Sequence, residues 1–99
     1  MTYLGNAFSL QMVNFPTTIN VEEVLPGEIP EDAISCIGHA DTAAVVSGIL
    51  GRDIPVNRTN IKLDKDDILY VAQLTGGRLP EGAKTLPDGY RLTFIKVSL

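Results

Sequence analysis

A chain of 99 residues can bury one hydrophobic core but not two, so we expect a single domain over residues 1–99. The apolar share of 44% is typical of a globular protein rather than a disordered one. The net charge of −4 argues against a protein that binds long nucleic acids, because such binding depends on many Lys and Arg contacts with phosphates.

One cysteine and one histidine leave little room for disulfide or metal chemistry. The single cysteine excludes an intramolecular disulfide and is consistent with a reducing cytoplasm. No carboxylate cluster accompanies Cys36 or His39, so we expect no metal site and no cofactor. No apolar run of about 18 residues and no signal peptide occur. We therefore expect a cytoplasmic protein without a membrane partner.

The first third of the chain predicts two strands. Thr2–Leu4 is the first, followed by a helical turn within Ala7–Val13. Thr17–Val24 alternates loosely between apolar and polar residues and is the second strand. Leu25–Pro30, with its glycine and prolines, predicts a turn.

A strand, a tight turn and a helix follow in the middle of the chain. Ile34–Ile37 is apolar and rich in β-branched residues, as in a buried strand. From Asp41 the apolar residues recur every three or four positions until Gly51, which predicts a helix and its stop. His39 lies in the turn, where free backbone N–H groups and the helix dipole favour a phosphate. An imidazole beside such a site can act as a general acid.

Each of these residues also has a purely structural interpretation. A lone histidine is more often a capping or hydrogen-bonded residue than a catalytic one. Asp41 or Thr42 is more simply the N-cap of the helix than a ligand contact. Cys36 lies in the apolar strand and is interpreted as a small buried hydrophobe.

The second half of the chain is rich in β-structure. Arg58–Leu63 alternates and predicts a strand, which the charged turn Asp64–Asp67 joins to Ile68–Leu74 as a hairpin. The continuous apolar run Ile68–Leu74 predicts a central strand. The acidic turn is most simply a solvated loop.

Thr75–Gly89 contains four glycines and two prolines, and a stretch of this length without regular structure is often a lid or binding loop. Tyr90–Val97 alternates again and predicts the last strand. The fold class expected is therefore α+β (mixed α/β), with a mixed sheet of about five strands.

The loop carries Arg78 and Glu81 three residues apart. Two solvated charges on a mobile loop are the usual case. Alternatively, Arg78 contacts a phosphate and Glu81 orients it or acts as a base. Together with His39, such a pair would suit metal-free cleavage of a phosphodiester.

Four segments in order make the chain resemble the viral ring nucleases, small anti-CRISPR proteins of archaeal viruses, phages and integrated elements. They are YLGNAFSL, SCIGHADTAAVVSGILG, PVNRTNIKL and LYVAQLTGGRLPEG. The most specific parts are the Ile-Gly-His-x-x-Thr turn and the Arg-Leu-x-Glu-Gly loop. The resemblance covers almost the whole chain.

The resemblance implies a homodimer with helices flanking its mixed sheets, which binds cyclic tetra-adenylate across the interface under closing loops. The family cuts this ring into linear di-adenylates without metal and so switches off type III CRISPR signalling. Carried over by motif, the catalytic residues are His39, Arg78 and Glu81. The ligand-binding residues are Asn6, Ser9, Thr42, Arg58 and Gln73.

Two departures from the family pattern concern the site. Asp41 stands where relatives often have a small hydroxyl residue or glutamate, and the spacing from Gln73 to Arg78 differs from some relatives by a residue. The alternative function is a non-catalytic viral protein that sequesters a cyclic nucleotide or serves as an interaction module. His39 argues against sequestration, because such a pocket needs no general acid.

Overall fold

Five strands form one mixed sheet in the computed structural model, which describes all residues 1–99. They are β1 (Thr2–Gly5), β2 (Asn20–Val24), β3 (Ile34–Ser35), β4 (Ile68–Thr75) and β5 (Arg91–Ser98). The strand order is β2-β5-β4-β1-β3. One α-helix, α1 (Ala40–Leu50), and two short 3-10 helices, Leu10–Met12 and Pro26–Glu28, complete the fold. The predicted α+β class and five-stranded mixed sheet are confirmed.

Three neighbouring strands of the sheet run in the same direction. β1 pairs in parallel with both β3 and β4, while β5 is antiparallel to β4 and to β2. The carboxyl ends of β1, β3 and β4 therefore lie at one edge of the sheet, called the carboxyl edge below. The connections that leave this edge begin at Asn6, Cys36 and Gly76.

The predicted central strand lies in the middle of the sheet and is covered on both faces. Residues alternate along β4, with Tyr70 and Ala72 packed under α1 and Leu69 and Val71 packed on the opposite face. All four are buried, which explains why this segment is continuously apolar.

The strand predicted at Arg58–Leu63 is wrong, and so is its hairpin with β4. Residues 58–63 form no strand, and one backbone bond, from Leu63 N to Met12 O at 2.7 Å, holds the end of this segment. Both edges of β4 are already occupied, by β1 and β5, so no ladder position is left. The alternation arises because Leu63 is buried and Ile61 is half-buried in the second core.

Other boundaries shift by a few residues. The second strand begins at Asn20 rather than Thr17, and the last spans Arg91–Ser98 rather than Tyr90–Val97. The third strand is limited to Ile34–Ser35. The helical turn expected within Ala7–Val13 is the 3-10 helix Leu10–Met12.

The helix ends as predicted but is not capped as predicted. Gly51 adopts the left-handed conformation (φ 71°), and its N–H bonds to Ser47 O at 2.9 Å. At the other end the helix begins at Ala40, so the cap position belongs to His39, which makes no side-chain capping bond. Asp41 and Thr42 are the second and third residues of the helix, and neither is the N-cap.

Candidate functional site

The carboxyl edge gathers three of the predicted site segments. Asn6 directly follows β1, His39 follows β3 as the cap residue of α1, and the loop with Arg78 follows β4. Ligands of sheets with parallel strands bind outside the carboxyl ends of those strands. The sheet topology thus brings together residues that are far apart in the sequence.

An open groove of about 380 Å³ lies at this edge, between the start of α1 and the loop after β4. The residues that line it are His39, Asp41, Thr42, Leu74, Gly77, Arg78 and Leu79. It is called the His39–Arg78 groove below. An imidazole, a hydroxyl and a guanidinium therefore share one surface, and both His39 and Arg78 are exposed to solvent.

The start of α1 adds unpaired backbone donors to this groove. The first amide that bonds within the helix is that of Ala43, whose N–H donates to His39 O at 3.0 Å. The N–H groups of Ala40, Asp41 and Thr42 have no partner in the protein. Donors of this kind, at the positive end of the helix dipole, favour an oxyanion.

Two side chains, those of Asn6 and Arg58, lie against the turn before His39. Asn6 Oδ1 accepts a hydrogen bond from the Gly38 N–H at 3.4 Å. A Cβ atom at Gly38 would lie 3.2 Å from Arg58 Cγ, so the glycine lets the Arg58 side chain pass close to the backbone. Asn6 and Arg58, both predicted to bind ligand, therefore lie beside the turn that carries His39.

Asn57 holds the neighbouring segment in place and was not anticipated. Its N–H donates to Ile37 O at 2.9 Å, and its side-chain amide donates to Ser35 O at 2.8 Å. These bonds fasten the residue before Arg58 to the end of β3. The side-chain role was not foreseeable, because it depends on a contact across the fold.

Ser9 and Gln73 do not line the His39–Arg78 groove. Ser9 caps the first 3-10 helix, accepting a hydrogen bond from Gln11 N at 3.2 Å, and lines a different groove of about 360 Å³ beside Asn60 and Lys62. Gln73 is exposed on β4, opposite Thr93.

Glu81 is exposed and does not line the His39–Arg78 groove. It forms no ion pair with Arg78, since the salt bridges of the protein are between Lys96 and Glu22 and between the N-terminal amine and Asp67. Its assignment to the catalytic set remains a prediction.

The predicted loop Thr75–Gly89 has no helix or strand beyond its first residue, as expected. It is nevertheless held by specific bonds. Tyr90 Oη donates to Arg78 O at 2.8 Å, and the Gly82 N–H donates to Asp41 Oδ1 at 3.0 Å. Neither Asp41 nor Tyr90 was predicted to contact the loop, because no local pattern encodes a bond between distant segments.

Cys36 packs against hydrophobic residues, as the sequence predicted, but it is less buried than expected. It is half-buried, packs against the second core, and its burial raises the pKa of the thiol. The raised pKa disfavours the thiolate, the form that acts as nucleophile or metal ligand. No group of three or more His, Cys, Asp or Glu side chains could hold a metal ion. The one helix is also too short to cross a membrane.

Comparison with known proteins identifies a family and similar solved structures. The family model described as STIV B116-like matches residues 2–88, a range that includes every predicted site residue. B116 of Sulfolobus turreted icosahedral virus (STIV) is similar in structure, with 26% sequence identity and a TM-score of 0.81. The alignment covers 99% of this chain and 98% of that chain. No curated protein matches the sequence.

Proposed function

This chain belongs to the STIV B116-like family, and we propose that it is a metal-independent ring nuclease that cleaves cyclic tetra-adenylate. The observation that carries the proposal is the His39–Arg78 groove, where an imidazole and a guanidinium meet beside the free amides of α1. The products are linear di-adenylates with 2′,3′-cyclic phosphates. Removal of this messenger switches off type III CRISPR signalling in the host cytoplasm.

The chemistry requires the groups that line the groove together with a water molecule. A ribose 2′-hydroxyl gives its proton to water and attacks the adjacent phosphorus in line, the P–O5′ bond breaks, and a 2′,3′-cyclic phosphate forms. His39 donates the proton that the departing 5′-oxygen needs. Arg78 and the amides at the start of α1 stabilise the additional negative charge on the phosphorane. Thr42 lies in the same first turn and contributes a hydroxyl donor to the phosphate.

The proposed assembly is a homodimer around one ring. Each protomer supplies one groove, and two grooves related by two-fold symmetry cut opposite sides of the ring. Ser9 and Gln73, which lie outside the groove of one protomer, are assigned to the parts of the ring that extend beyond it. Glu81 keeps its proposed supporting role in catalysis, in which it orients Arg78 or His39. With the ring bound, the Arg78 loop covers it and excludes bulk water from the site.

The deciding experiment is cleavage in the presence of EDTA. We expect purified protein to convert cyclic tetra-adenylate into linear di-adenylates, separable by chromatography, without added metal. Lys65→Ala is a suitable control, because Lys65 precedes β4 and lies at the opposite edge of the sheet. Tight binding without any linear product would instead support the alternative, a protein that sequesters the ring. Absence of both binding and cleavage would contradict both functions.

A further inference from the structure

The segment Arg78–Gly82, which carries both charged residues of the loop, is tied at each end by a side chain from outside it. At one end Tyr90 Oη donates to the Arg78 carbonyl at 2.8 Å. At the other end Asp41 Oδ1 accepts from the Gly82 amide at 3.0 Å. We propose that Asp41 and Tyr90 are positioning residues that place Arg78 at the groove before a ligand binds. This inference rests on the function proposed above and deepens it.

Asp41 links the first turn of α1 directly to the loop. It is half-buried and lines the same groove as His39. An acidic residue in the first turn of a helix already interacts favourably with the helix dipole. That interaction does not require a hydrogen bond to a loop residue 41 positions away. Through its bond to Gly82, Asp41 therefore also holds the loop against the helix.

The conformation of the loop directs the Gly82 N–H toward Asp41. A tight turn is closed by the bond from Ala83 N to Pro80 O at 3.0 Å. Within it Gly82 has a φ of +79°, which side-chain-bearing residues rarely adopt. Glycine at this position thus permits the turn whose N–H reaches the helix.

Tyr90 reaches Arg78 across a pair of glycines. A Cβ atom at Gly76 would lie 3.0 Å from Tyr90 Cα, and one at Gly77 would lie 3.3 Å from Tyr90 Oη. The missing side chains let the tyrosine ring lie against the backbone, so that its hydroxyl meets the Arg78 carbonyl. The bond fixes the backbone of Arg78 and leaves its guanidinium free for a phosphate.

Asp41 brings two opposing effects to the groove. Its oxygen orders the loop, whereas its negative charge opposes a phosphate in the same groove. Asp41→Asn separates the two effects, because the amide oxygen still accepts a hydrogen bond while the charge is removed. Asp41→Ala removes both. Asp88, exposed in the same loop and without a side-chain hydrogen bond, offers a control that changes the charge alone.

Amide hydrogen exchange of the protein without ligand tests the tether independently of any activity. We expect Asp41→Ala to speed exchange at the Gly82 amide about fivefold to tenfold, as for loss of one charged hydrogen bond at an exposed site. Asp41→Asn should keep most of the protection, and Asp88→Ala should leave it unchanged. Equal exchange at Gly82 in wild type and Asp41→Ala overturns the positioning role.

Steady-state cleavage of cyclic tetra-adenylate tests the consequence. Asp41→Ala and Tyr90→Phe should each lower kcat about tenfold with a smaller change in KM, since Arg78 is then held less often at the phosphate. Asp41→Asn should restore most of the kcat and lower KM below that of wild type. A kcat equally low in Asp41→Asn and Asp41→Ala contradicts positioning through the hydrogen bond. If wild type cleaves nothing, the proposed function fails, and the exchange result alone decides whether the tether exists.

Discussion

Asn6 Oδ1 accepts a hydrogen bond from the backbone N–H of Gly38 at 3.4 Å, which ties the end of β1 to the turn that carries His39. The two residues are 32 positions apart and meet only because β1 and β3 pair in parallel. This bond makes the position of His39 dependent on a residue that the sequence identified only as a ligand contact.

Removal of the Asn6 side-chain amide should therefore lower the stability of the fold. We expect Asn6→Ala to lower the free energy of unfolding by about 0.5–1.5 kcal/mol, the usual net value of one hydrogen bond. Asn6→Asp, which retains an acceptor, should recover most of this loss in urea titrations. Equal stability of wild type and Asn6→Ala would show that the bond does not support the turn.

His39→Ala should abolish most cleavage and leave ligand binding largely intact. Loss of a general acid typically lowers the rate about 10²–10⁴-fold. The fold should survive, because the exposed imidazole makes no hydrogen bond within the protein. Single-turnover rates and calorimetric affinities measure the two effects separately. Cleavage at the wild-type rate would rule out His39 as the proton donor.

Alanine substitutions at Arg78 and Arg58 should affect cleavage and ligand binding differently. Arg78→Ala is expected to lower kcat about 10²-fold, as for loss of one donor to a developing oxyanion, with a smaller effect on affinity. Arg58→Ala should instead weaken binding about tenfold or more, since a charged hydrogen bond to phosphate is lost in the ground state. If both variants change affinity alone, Arg78 holds the ligand and has no catalytic part.

Acid stability should depend on Asp67. The hydrogen bond from the N-terminal amine, at 2.8 Å, lowers the pKa of Asp67, and the bond from the Asp64 N–H acts in the same direction. A carboxyl whose folded-state pKa is lowered stabilises the fold above its unfolded-state pKa of about 3.9. That stabilisation is lost as the pH falls through the folded-state value.

Asp67→Asn should therefore be less stable than wild type at neutral pH, and the difference should shrink below about pH 4. Urea titrations from pH 7 to pH 3 measure it. Asp66→Asn, which changes the neighbouring exposed carboxylate, serves as the control. A difference that stays constant over this range would mean that Asp67 contributes through packing rather than through its charge.

Local patterns in the sequence determined the α+β class and most of the elements. The apolar run Ile68–Leu74 marks a central strand because both of its faces are buried, and Gly51 marks the helix end because glycine readily adopts the left-handed conformation there. The histidine turn and the glycine-rich loop were likewise visible, since each depends on residues close together in the chain.

Tertiary structure decided which strands pair and which side chains contact one another. Parallel pairing of β1 with β3 and β4 brings Asn6, His39 and Arg78 to one edge, whereas Ser9 lies in another groove. Arg58–Leu63 has the alternation of a strand but finds no free edge on β4. Asp41 was expected to cap its own helix and instead holds Gly82 of the loop. Periodicity and turn propensity are properties of neighbouring residues, but partners for hydrogen bonds and strand edges are assigned only when the whole chain has folded.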